Sequence, residues 1–258
     1  MIRMPQIIQS LERGIRILDL LVERKTVRVV DVAAFLKINK SSAFRLLDTL
    51  RMKSMVEQDP VTEKYKICAG ILRYSNTFID NSLGKIIHPY LEKLTALTKE
   101  NAHCCVFSGD RVIVIDQIKN LEVLNITAQI GREERMYCTS VGKVILAFLP
   151  DETKERIIGS MQLKPLTEKT ITSKIVLRRH LKEIQGNGYA TDNEENVKGV
   201  RCLAAPIRNH NGEVNYSIGI SAPSMRLEEQ KFPEYAKIVK DIAAEVSAQI
   251  GYLEASLQ

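Results

Sequence analysis

The side chains of this sequence that can do chemistry are mainly small polar and basic groups that form hydrogen bonds. The first cluster of them lies in residues 39–50. Apolar residues recur there with the i, i+3, i+4, i+7 spacing of one helix face: Ala43, Leu46, Leu47 and Leu50. The opposite face carries Ser41, Arg45 and Asp48, with Ser42 at its edge. Hydroxyl and guanidinium groups on an exposed helix can pair with base edges in the DNA major groove. An ordinary helix hairpin at a protein surface has the same pattern.

The neighbouring residues supply the elements that would position this helix. Asn39 is a candidate N-cap, because its side chain can accept a hydrogen bond from an early backbone N–H group. Residues 30–36 have the composition of a short helix, and Lys37 and Ile38 form the turn between the two, which makes a helix-turn-helix. Residues 55–58 and 64–67 predict a hairpin after it. This hairpin is either a wing whose Lys64 reaches a phosphate backbone, or a hairpin that only closes the small core.

A second concentration of polar groups is the start of the predicted helix 140–148. Small residues at this start leave the N–H groups of Val141 and Gly142 open, and the helix dipole adds partial positive charge there. The arrangement favours a bound carboxylate. Many helices that start in this way bind only water.

Residues 189–196 form an acidic stretch that we expect to be a loop before a buried strand. Asp192 or Glu194 could hydrogen-bond a hydroxyl or amide group, although a solvated turn has the same composition. Cys202 lies in the strand beside Leu203, and a buried cysteine is usually a small apolar side chain rather than a nucleophile.

The remaining residue types exclude several classes of protein. The five cysteines include no C-x-x-C pair, and the four histidines include no i, i+4 pair, which argues against a disulfide framework and against a metal site. There is no G-x-S-x-G elbow, P-loop or dinucleotide fingerprint, so enzymatic chemistry has no positive sign. The longest apolar run, 144–149, is far shorter than a membrane span, and we expect a cytoplasmic protein without a cofactor.

The net charge of +6 is concentrated in the first third of the chain. Residues 1–79 carry 14 basic and 8 acidic side chains, whereas residues 80–258 carry 23 of each. This asymmetry is expected if the front part contacts a polyanion and the rest does not. A solvated basic surface is the alternative.

Helical and strand-like segments are mixed along the second half. Helices are predicted from residue 83 to 100 with an interruption near Pro89, from 140 to 148, from 151, from 174 to 185 before Gly186, and from about 227 or 232 to 252. Strands are predicted at 102–108, 112–118, 124–130, 201–207 and 214–221. Near the N-terminus, a helix capped by Ser10 is predicted to run to Leu21. This order favours an α+β fold in which helices pack on an antiparallel sheet.

Several of these stretches, taken in order, resemble the IclR family of bacterial transcriptional regulators. The stretches are residues 10–18, 40–47, 137–147, 188–206 and 217–223. The resemblance implies a winged helix-turn-helix domain at 7–68 after a tail at 1–6, a linker helix at 69–82, and a GAF-like effector-binding domain at 83–258. It also implies a homodimer or homotetramer and an effector that is a small organic or sugar-derived acid.

The resemblance also assigns the site residues. The effector contacts carried over from the family are Ser140, Val141, Gly142, Asp192, Cys202, Gly219 and Ser221. On DNA, Ser41, Ser42 and Arg45 are expected to face the major groove, with Phe44 beside them, and Lys40 and Lys64 to hold phosphates. The chain departs from the family at Lys37, where glycine is usual in the turn, at Phe44, where histidine is common, and at Gly219, where some members have serine.

The sequence therefore predicts a DNA-binding transcriptional regulator, repressor or activator, that responds to a small acid. Two alternatives stay open. One is an enzyme that uses Cys202 or Cys138. The other is a redox sensor that uses Cys104, Cys105 or Cys138.

Overall fold

The computed structural model of the chain describes residues 7–74, 84–122, 126 and 128–252. The chain divides into two units, residues 1–82 and 83–258. No helix in the described ranges is long and apolar enough to cross a membrane.

The first unit contains three helices and a two-stranded hairpin. The helices are α1 (Gln9–Arg24), α2 (Val29–Leu36) and α3 (Lys40–Met52), and the antiparallel strands are β1 (Val56–Gln58) and β2 (Tyr65–Ile67). Ile17, Leu47 and Tyr65 are among the residues that form its core. A bridge between Val27 and Tyr65 ties the hairpin to the loop between α1 and α2. The winged helix-turn-helix fold predicted from sequence is confirmed.

Helix α1 differs from the prediction in its start. It begins at Gln9, and the residue before it, Ile8, makes no side-chain capping bond, so the prediction of Ser10 as the cap was wrong. Ile17, Leu20 and Leu21 are buried, whereas Leu11 and Ile15 are 63% and 52% exposed. The helix is apolar on two faces, and the sequence pattern does not say which face meets the core.

Residues after β2 are only partly described. A short 3₁₀ turn occupies Ala69–Ile71, and residues 72–74 are helical. The rest of the predicted linker helix, 75–82, lies outside the described residues.

The second unit is one antiparallel sheet with helices on both faces. Its strands are β3 (Asn101–Ser108), β4 (Arg111–Ile118), β5 (Glu133–Glu134), β6 (Ala190–Asn193), β7 (Val200–Arg208) and β8 (Val214–Pro223), in the order β5-β4-β3-β8-β7-β6. Its helices are α4 (Gly84–Thr98), α5 (Ser140–Phe148), α6 (Asp151–Ser160), α7 (Lys174–Asn187) and α8 (Phe232–Gln249). The predicted α+β class is confirmed.

Alternation along the strands divides the core between the two faces. Adjacent Cys104 and Cys105 point to opposite sides of the sheet: Cys104 packs with the residues of α4 and α8, and Cys105 with those of α5 and α7. Helix α5 is buried along nearly its whole length because it lies against this second face. The sheet therefore holds the start of α5 in a fixed position.

Four element predictions were wrong in detail. Residues 190–193 form the edge strand β6 rather than a loop, because their backbone pairs with β7 although their sequence is polar. The predicted strand 124–130 is not formed at 126 or 128–130, and its other residues lie outside the described ranges. Helix α7 ends at Gly188, which adopts the left-handed conformation, rather than at Gly186. Helix α4 continues through Pro89 without a break, supported by buried Ile87 and Leu91.

Candidate functional site

The outer face of α3 carries the side chains that the sequence assigned to DNA. Lys40, Ser41, Phe44 and Arg45 are exposed, and Ser42 is half-buried, while the opposite face of the helix is buried in the core. Phe44 is 49% exposed on the same surface. The helix thus presents hydroxyl, guanidinium and aromatic groups together on an open surface.

Asn39 organises the start of α3 as predicted. Its Oδ1 accepts hydrogen bonds from the Ser42 backbone N–H and from the Ser41 hydroxyl, both at 2.8 Å. The Ser41 hydroxyl donates to the cap and keeps its lone pairs free to accept a further hydrogen bond. The cap therefore fixes the orientation of the residue at the helix tip.

Lys37 makes the turn between α2 and α3 in the left-handed conformation, with φ 54° and ψ 48°. Glycine adopts this conformation without strain, whereas another residue pays about 1 kcal/mol. The turn geometry is kept although the usual residue is absent.

The hairpin carries Lys64 exposed at the start of β2. Its tip is held by Asp59, whose Oδ1 accepts the N–H groups of Val61 and Thr62 at 2.9 and 2.8 Å. Val61 is 89% exposed at this tip. A tip ordered by its own hydrogen bonds presents a fixed edge to a large partner.

The second unit contains a cavity of about 290 Å³ beside the start of α5. Five predicted effector residues line it: Ser140, Val141, Asp192, Cys202 and Ser221. The other two, Gly142 and Gly219, are not among its lining residues. The fold therefore brings together positions that are up to 81 residues apart in the sequence.

The start of α5 is only partly available for a ligand. The Thr139 hydroxyl caps the helix by accepting the Gly142 N–H at 3.2 Å, so the expectation that this N–H is open was wrong. A Cβ atom on Gly142 would lie 2.5 Å from the carbonyl oxygen of Arg135, so glycine is required here for close packing. The Ser140 hydroxyl is buried and has no hydrogen-bond partner within the described chain. A buried polar atom without a partner at a cavity wall indicates a place for a polar ligand atom.

Gly219 lies on β8 opposite His103 of β3. A Cβ atom there would come within 2.4 Å of the Leu203 carbonyl oxygen on β7. Its role is thus close strand packing behind the cavity.

Asp192 is buried in β6 and forms part of the cavity wall. Its Oδ1 accepts the N–H groups of Glu195 and Asn196 at 2.7 and 3.3 Å. Burial, and then the charge of nearby Glu195, raise the pKa of Asp192 to about 7. Near neutral pH this carboxyl group is therefore present in both protonation states.

A buried ion pair lies directly behind Asp192. Lys143, fully buried on α5, donates from Nζ to Oε1 of Glu195, and its Nζ lies 3.3 Å from Nε2 of His180 on α7. The carbonyl oxygen of Glu195 accepts a hydrogen bond from the Thr170 hydroxyl at 2.6 Å. Lys143 thus connects the loop after β6 to α5 and, through His180, to α7.

The cavity also has residues that the sequence reasoning did not assign. His103 lies on its floor, and burial lowers the pKa of its imidazole to about 4, so that it is neutral at pH 7. Arg132 and Glu134 line the cavity near β5, Arg132 with an exposed side chain. A polar residue within an otherwise apolar strand is the signal that points to His103, whereas Arg132 and Glu134 lie in a polar stretch that gives no such signal.

Four of the five thiols are buried in environments that keep them neutral. Burial raises the pKa of Cys104, Cys105 and Cys202 well above the usual value, and raises that of Cys138 to about 12. The Cys202 sulfur lies 3.1 Å from the Ser221 hydroxyl at the cavity wall. The thiolate is the reactive form, so these environments do not favour a nucleophile or a redox switch.

Comparison with known proteins gives matches along most of the chain. Residues 10–60 match the model of the IclR helix-turn-helix domain, and residues 79–248 match the model described as bacterial transcriptional regulator IclR C-terminal. The HTH-type transcriptional regulator KdgR of Escherichia coli K12 is 30% identical over 251 residues, which cover 97% of this chain and 95% of KdgR.

Solved structures agree with this match. The crystal structure of the Thermotoga maritima IclR has a TM-score of 0.79 at 29% identity and covers 95% of this chain and 100% of its own. An IclR homologue from Microbacterium hydrocarbonoxydans, complexed with 4-hydroxybenzoate, has the same fold, with a TM-score of 0.81 at 20% identity over 93% of this chain and 98% of its own. These relatives are transcriptional regulators, not enzymes. The chain belongs to the IclR family and is a helix-turn-helix DNA-binding transcriptional regulator.

Proposed function

We propose that this regulator changes its affinity for an operator when a small organic or sugar-derived acid binds in the cavity beside α5. The observation that carries the proposal is the buried Ser140 hydroxyl, which has no partner in the described chain and lies at a helix N-terminus in the cavity wall. Partial positive charge at the helix start and the guanidinium of Arg132 favour a carboxylate there.

The opposite wall supports an acid with further oxygen atoms. Asp192, His103, Cys202 and Ser221 line the cavity with groups that can donate or accept hydrogen bonds. A hydroxyl or keto group on the acid would give Asp192 and His103 a partner, whereas a purely apolar body would not, and each buried polar group left unpaired costs roughly 1–3 kcal/mol. The 4-hydroxybenzoate bound to the Microbacterium homologue is also an acid with a hydroxyl group, which is consistent with this class.

On DNA, α3 is proposed to enter the major groove. Ser41, Ser42 and Arg45 would contact base edges, Phe44 would contact a thymine methyl group, and Lys40 and Lys64 would contact phosphates. The exposure of these side chains on one helix face and one hairpin supports this arrangement. Residues 7–68 would form the DNA-binding domain, 69–82 the linker helix and 83–258 the effector domain.

The assembly proposed is a homodimer or a homotetramer in the cytoplasm. Two recognition helices would read two operator half-sites, and the bound acid would favour one of two arrangements of them. Sedimentation of the full chain with and without operator DNA tests the oligomeric state.

A thermal-shift screen of small carboxylates tests the effector class. An acid present at 100 times its dissociation constant adds about 2.7 kcal/mol to the free energy of unfolding, which is readily seen as a higher Tm. The same acid should leave the Tm of a Ser140→Ala variant closer to its ligand-free value. If carboxylates shift neither protein while neutral sugars shift both, the acid assignment is wrong.

A further inference from the structure

Asp192 in the cavity wall and the ion pair directly behind it together contain more buried negative charge than positive charge. Asp192 and Glu195 are both buried, and Lys143 is the buried cation that faces them. Lys143 donates to Oε1 of Glu195, and its ammonium group is committed to that carboxylate. Oε2 of Glu195 is buried without a partner in the described chain. One ammonium group thus balances one of two carboxylates, and burying the second as an anion is costly.

The hydrogen bonds to Asp192 leave one oxygen to face the cavity. Both backbone N–H groups that bind it, those of Glu195 and Asn196, go to Oδ1. The carboxyl group lines the cavity next to Cys202, its partner across the β6–β7 ladder. Oδ2 is therefore the atom through which Asp192 can reach a ligand.

The other titratable groups near Asp192 do not provide a buried cation that would balance its carboxylate. Within the same cavity, His103 on β3 and the Cys202 thiol on the adjacent strand β7 are neutral at pH 7. The pKa of His180, behind Lys143, is lowered by burial and by Lys143 itself, and the Cys138 thiol is neutral. Glu134 adds a further carboxyl group, whose pKa is raised by burial. The cations in the segment before α5 are Arg132 and Arg135, and both side chains are exposed to solvent.

An anionic effector adds another negative charge to this cavity. Repulsion between the effector carboxylate and an ionised Asp192 would oppose binding, whereas a protonated Asp192 removes the repulsion and becomes a hydrogen-bond donor. The raised pKa of Asp192, about 7 before any ligand is bound, makes this protonation inexpensive.

We propose that Asp192 determines effector specificity as a neutral carboxylic acid that donates a hydrogen bond from Oδ2 to an oxygen of the effector. An anion that binds while Asp192 is ionised then brings one proton into the cavity. This inference rests on the proposed function, because it assumes that an acid occupies the cavity. The class of ligand is narrowed to acids that present a carboxylate or keto oxygen to Asp192, and cationic amines are excluded.

The protonation state of Asp192 is tested without any ligand. The carboxyl carbons of ¹³C-labelled aspartate are followed by NMR from pH 3 to pH 9 in the full chain, and the Asp192 signal is identified by its loss in Asp192→Asn. The expected titration midpoint lies near pH 7. A midpoint below pH 5 overturns the inference, whichever ligand binds.

Proton uptake is tested by calorimetry with pyruvate, D-gluconate and 4-hydroxybenzoate as probes. For each probe that binds, heats measured in two buffers of different ionisation enthalpy give the number of protons taken up. We expect close to one proton at pH 8, and an affinity that falls about tenfold between pH 6 and pH 8. An affinity that is constant over this range, with no proton uptake, contradicts the inference.

Two variants separate a proton-donating role from a structural one. Asp192→Asn keeps an acceptor for the two backbone N–H groups and a donor toward the cavity, so it should bind the probe at pH 8 at least as well as the wild type and without pH dependence. Asp192→Ala should lose affinity at both pH values. Asp241→Asn, on the exposed face of α8, is the matched control and should behave as the wild type. If Asp192→Asn instead binds more weakly than the wild type at pH 8, the ionised carboxylate is the binding form and the inference fails.

Failure of the proposed function can be distinguished from failure of the inference about Asp192. If none of the three acids binds the wild type, the acid class is not supported, while the NMR titration still decides whether Asp192 holds a proton.

Discussion

Asp192 and His103 line the same cavity, and burial changes the preferred charge of both. It raises the pKa of Asp192 to about 7 and lowers that of His103 to about 4, in each case favouring the neutral form. At neutral pH the cavity therefore contains a neutral imidazole and a carboxyl group that is partly protonated. This pair suits an anion with an uncharged polar end.

The two pKa shifts act on stability with opposite signs. Between pH 6.5 and pH 4, unfolded His103 binds a proton that the folded residue does not, so acidification through this range destabilises the native state. Asp192 binds more protons when folded, so its contribution is least unfavourable at low pH and becomes more unfavourable as the pH rises from about 4 to about 7.

Replacement of His103 by glutamine should reduce the loss of stability on acidification. The expected result is a shallower fall in the free energy of unfolding between pH 6.5 and pH 4.5, measured by urea denaturation at several pH values. His210→Gln is the control, because His210 is exposed. Equal pH slopes for the two variants would show that the environment of His103 does not disfavour its protonation.

Arg45 is the residue whose loss should affect DNA recognition most. Arg45→Ala removes a side chain that can contact a guanine edge bidentately, and should cost about 1–3 kcal/mol in binding to an operator fragment obtained by in vitro selection. Lys64→Ala should instead lower affinity for all sequences and reduce the salt slope by about one. Fluorescence anisotropy measures both. Arg179→Ala, at an exposed position on α7, is the control, and an Arg45→Ala affinity equal to it would exclude the proposed role.

At the scale of elements, the starts of α3 and α5 are the two points at which structure and proposed recognition coincide. Each is capped by the side chain of the preceding residue, Asn39 and Thr139 respectively. Neither helix has an acidic residue in its first turn, so the positive end of each dipole is not neutralised locally. We propose that one start contacts DNA phosphates and bases, and that the other contacts a carboxylate.

Asn39→Ala should destabilise the first unit by about 1 kcal/mol, because the Ser42 N–H loses its acceptor. It should also weaken operator binding, since Ser41 loses the partner that orients it. Asn39→Asp keeps an acceptor and should restore stability. Thermal denaturation and anisotropy measure the two effects, and unchanged values for Asn39→Ala would contradict the capping account.

Gly142→Ala should abolish effector binding in a protein that still folds. The added methyl group would meet the Arg135 carbonyl oxygen at 2.5 Å and the Met136 Cα at 2.7 Å, so the start of α5 or the backbone of residues 135–136 must shift beside the cavity. Gly159→Ala, on α6, has no atom within 4 Å of the added Cβ and should gain up to about 1 kcal/mol. Calorimetric titration of both variants with a binding acid tests this. A Gly142→Ala protein with wild-type affinity would mean that the helix start does not form the site.

Elements with a regular pattern were predictable, and elements defined by pairing were not. Helix α3 followed from its cap and its apolar spacing, and its bounds agree with the sequence prediction. Strand β6 was missed because an edge strand of polar residues has no alternation, and its backbone bonds to β7 are invisible in the sequence. For the same reason Asp192 was expected in a loop, although it is buried in a strand.

The cavity was predictable only in part. Ser140, Val141, Asp192, Cys202 and Ser221 meet there as the family resemblance implied. His103, Arg132 and Glu134 join them through the order of strands in the sheet, which depends on contacts that are distant in sequence. The burial of Lys143 against Glu195 likewise appears only when the loop after β6 packs on α5.

At the scale of the whole molecule, the charge asymmetry matches the division of the chain. The excess of basic residues lies in residues 1–79, which contain the helix-turn-helix, and the remainder is electrically balanced. Long-range attraction to DNA is therefore expected to come from the first unit, and the effector domain to depend on local charges within its cavity. The salt dependence of DNA binding should accordingly be unchanged by Asp192→Asn and reduced by Lys40→Ala and Lys64→Ala together.

The central claim is that one chain both binds operator DNA and responds to an acid in the cavity of its second unit. The most direct test is the affinity of the full chain for its selected operator, measured by anisotropy with and without an acid that raises its Tm. The account predicts that the acid changes operator affinity of the wild type and leaves that of Ser140→Ala nearly unchanged. An operator affinity that no Tm-raising acid alters, or that the acid alters equally in both proteins, would contradict it.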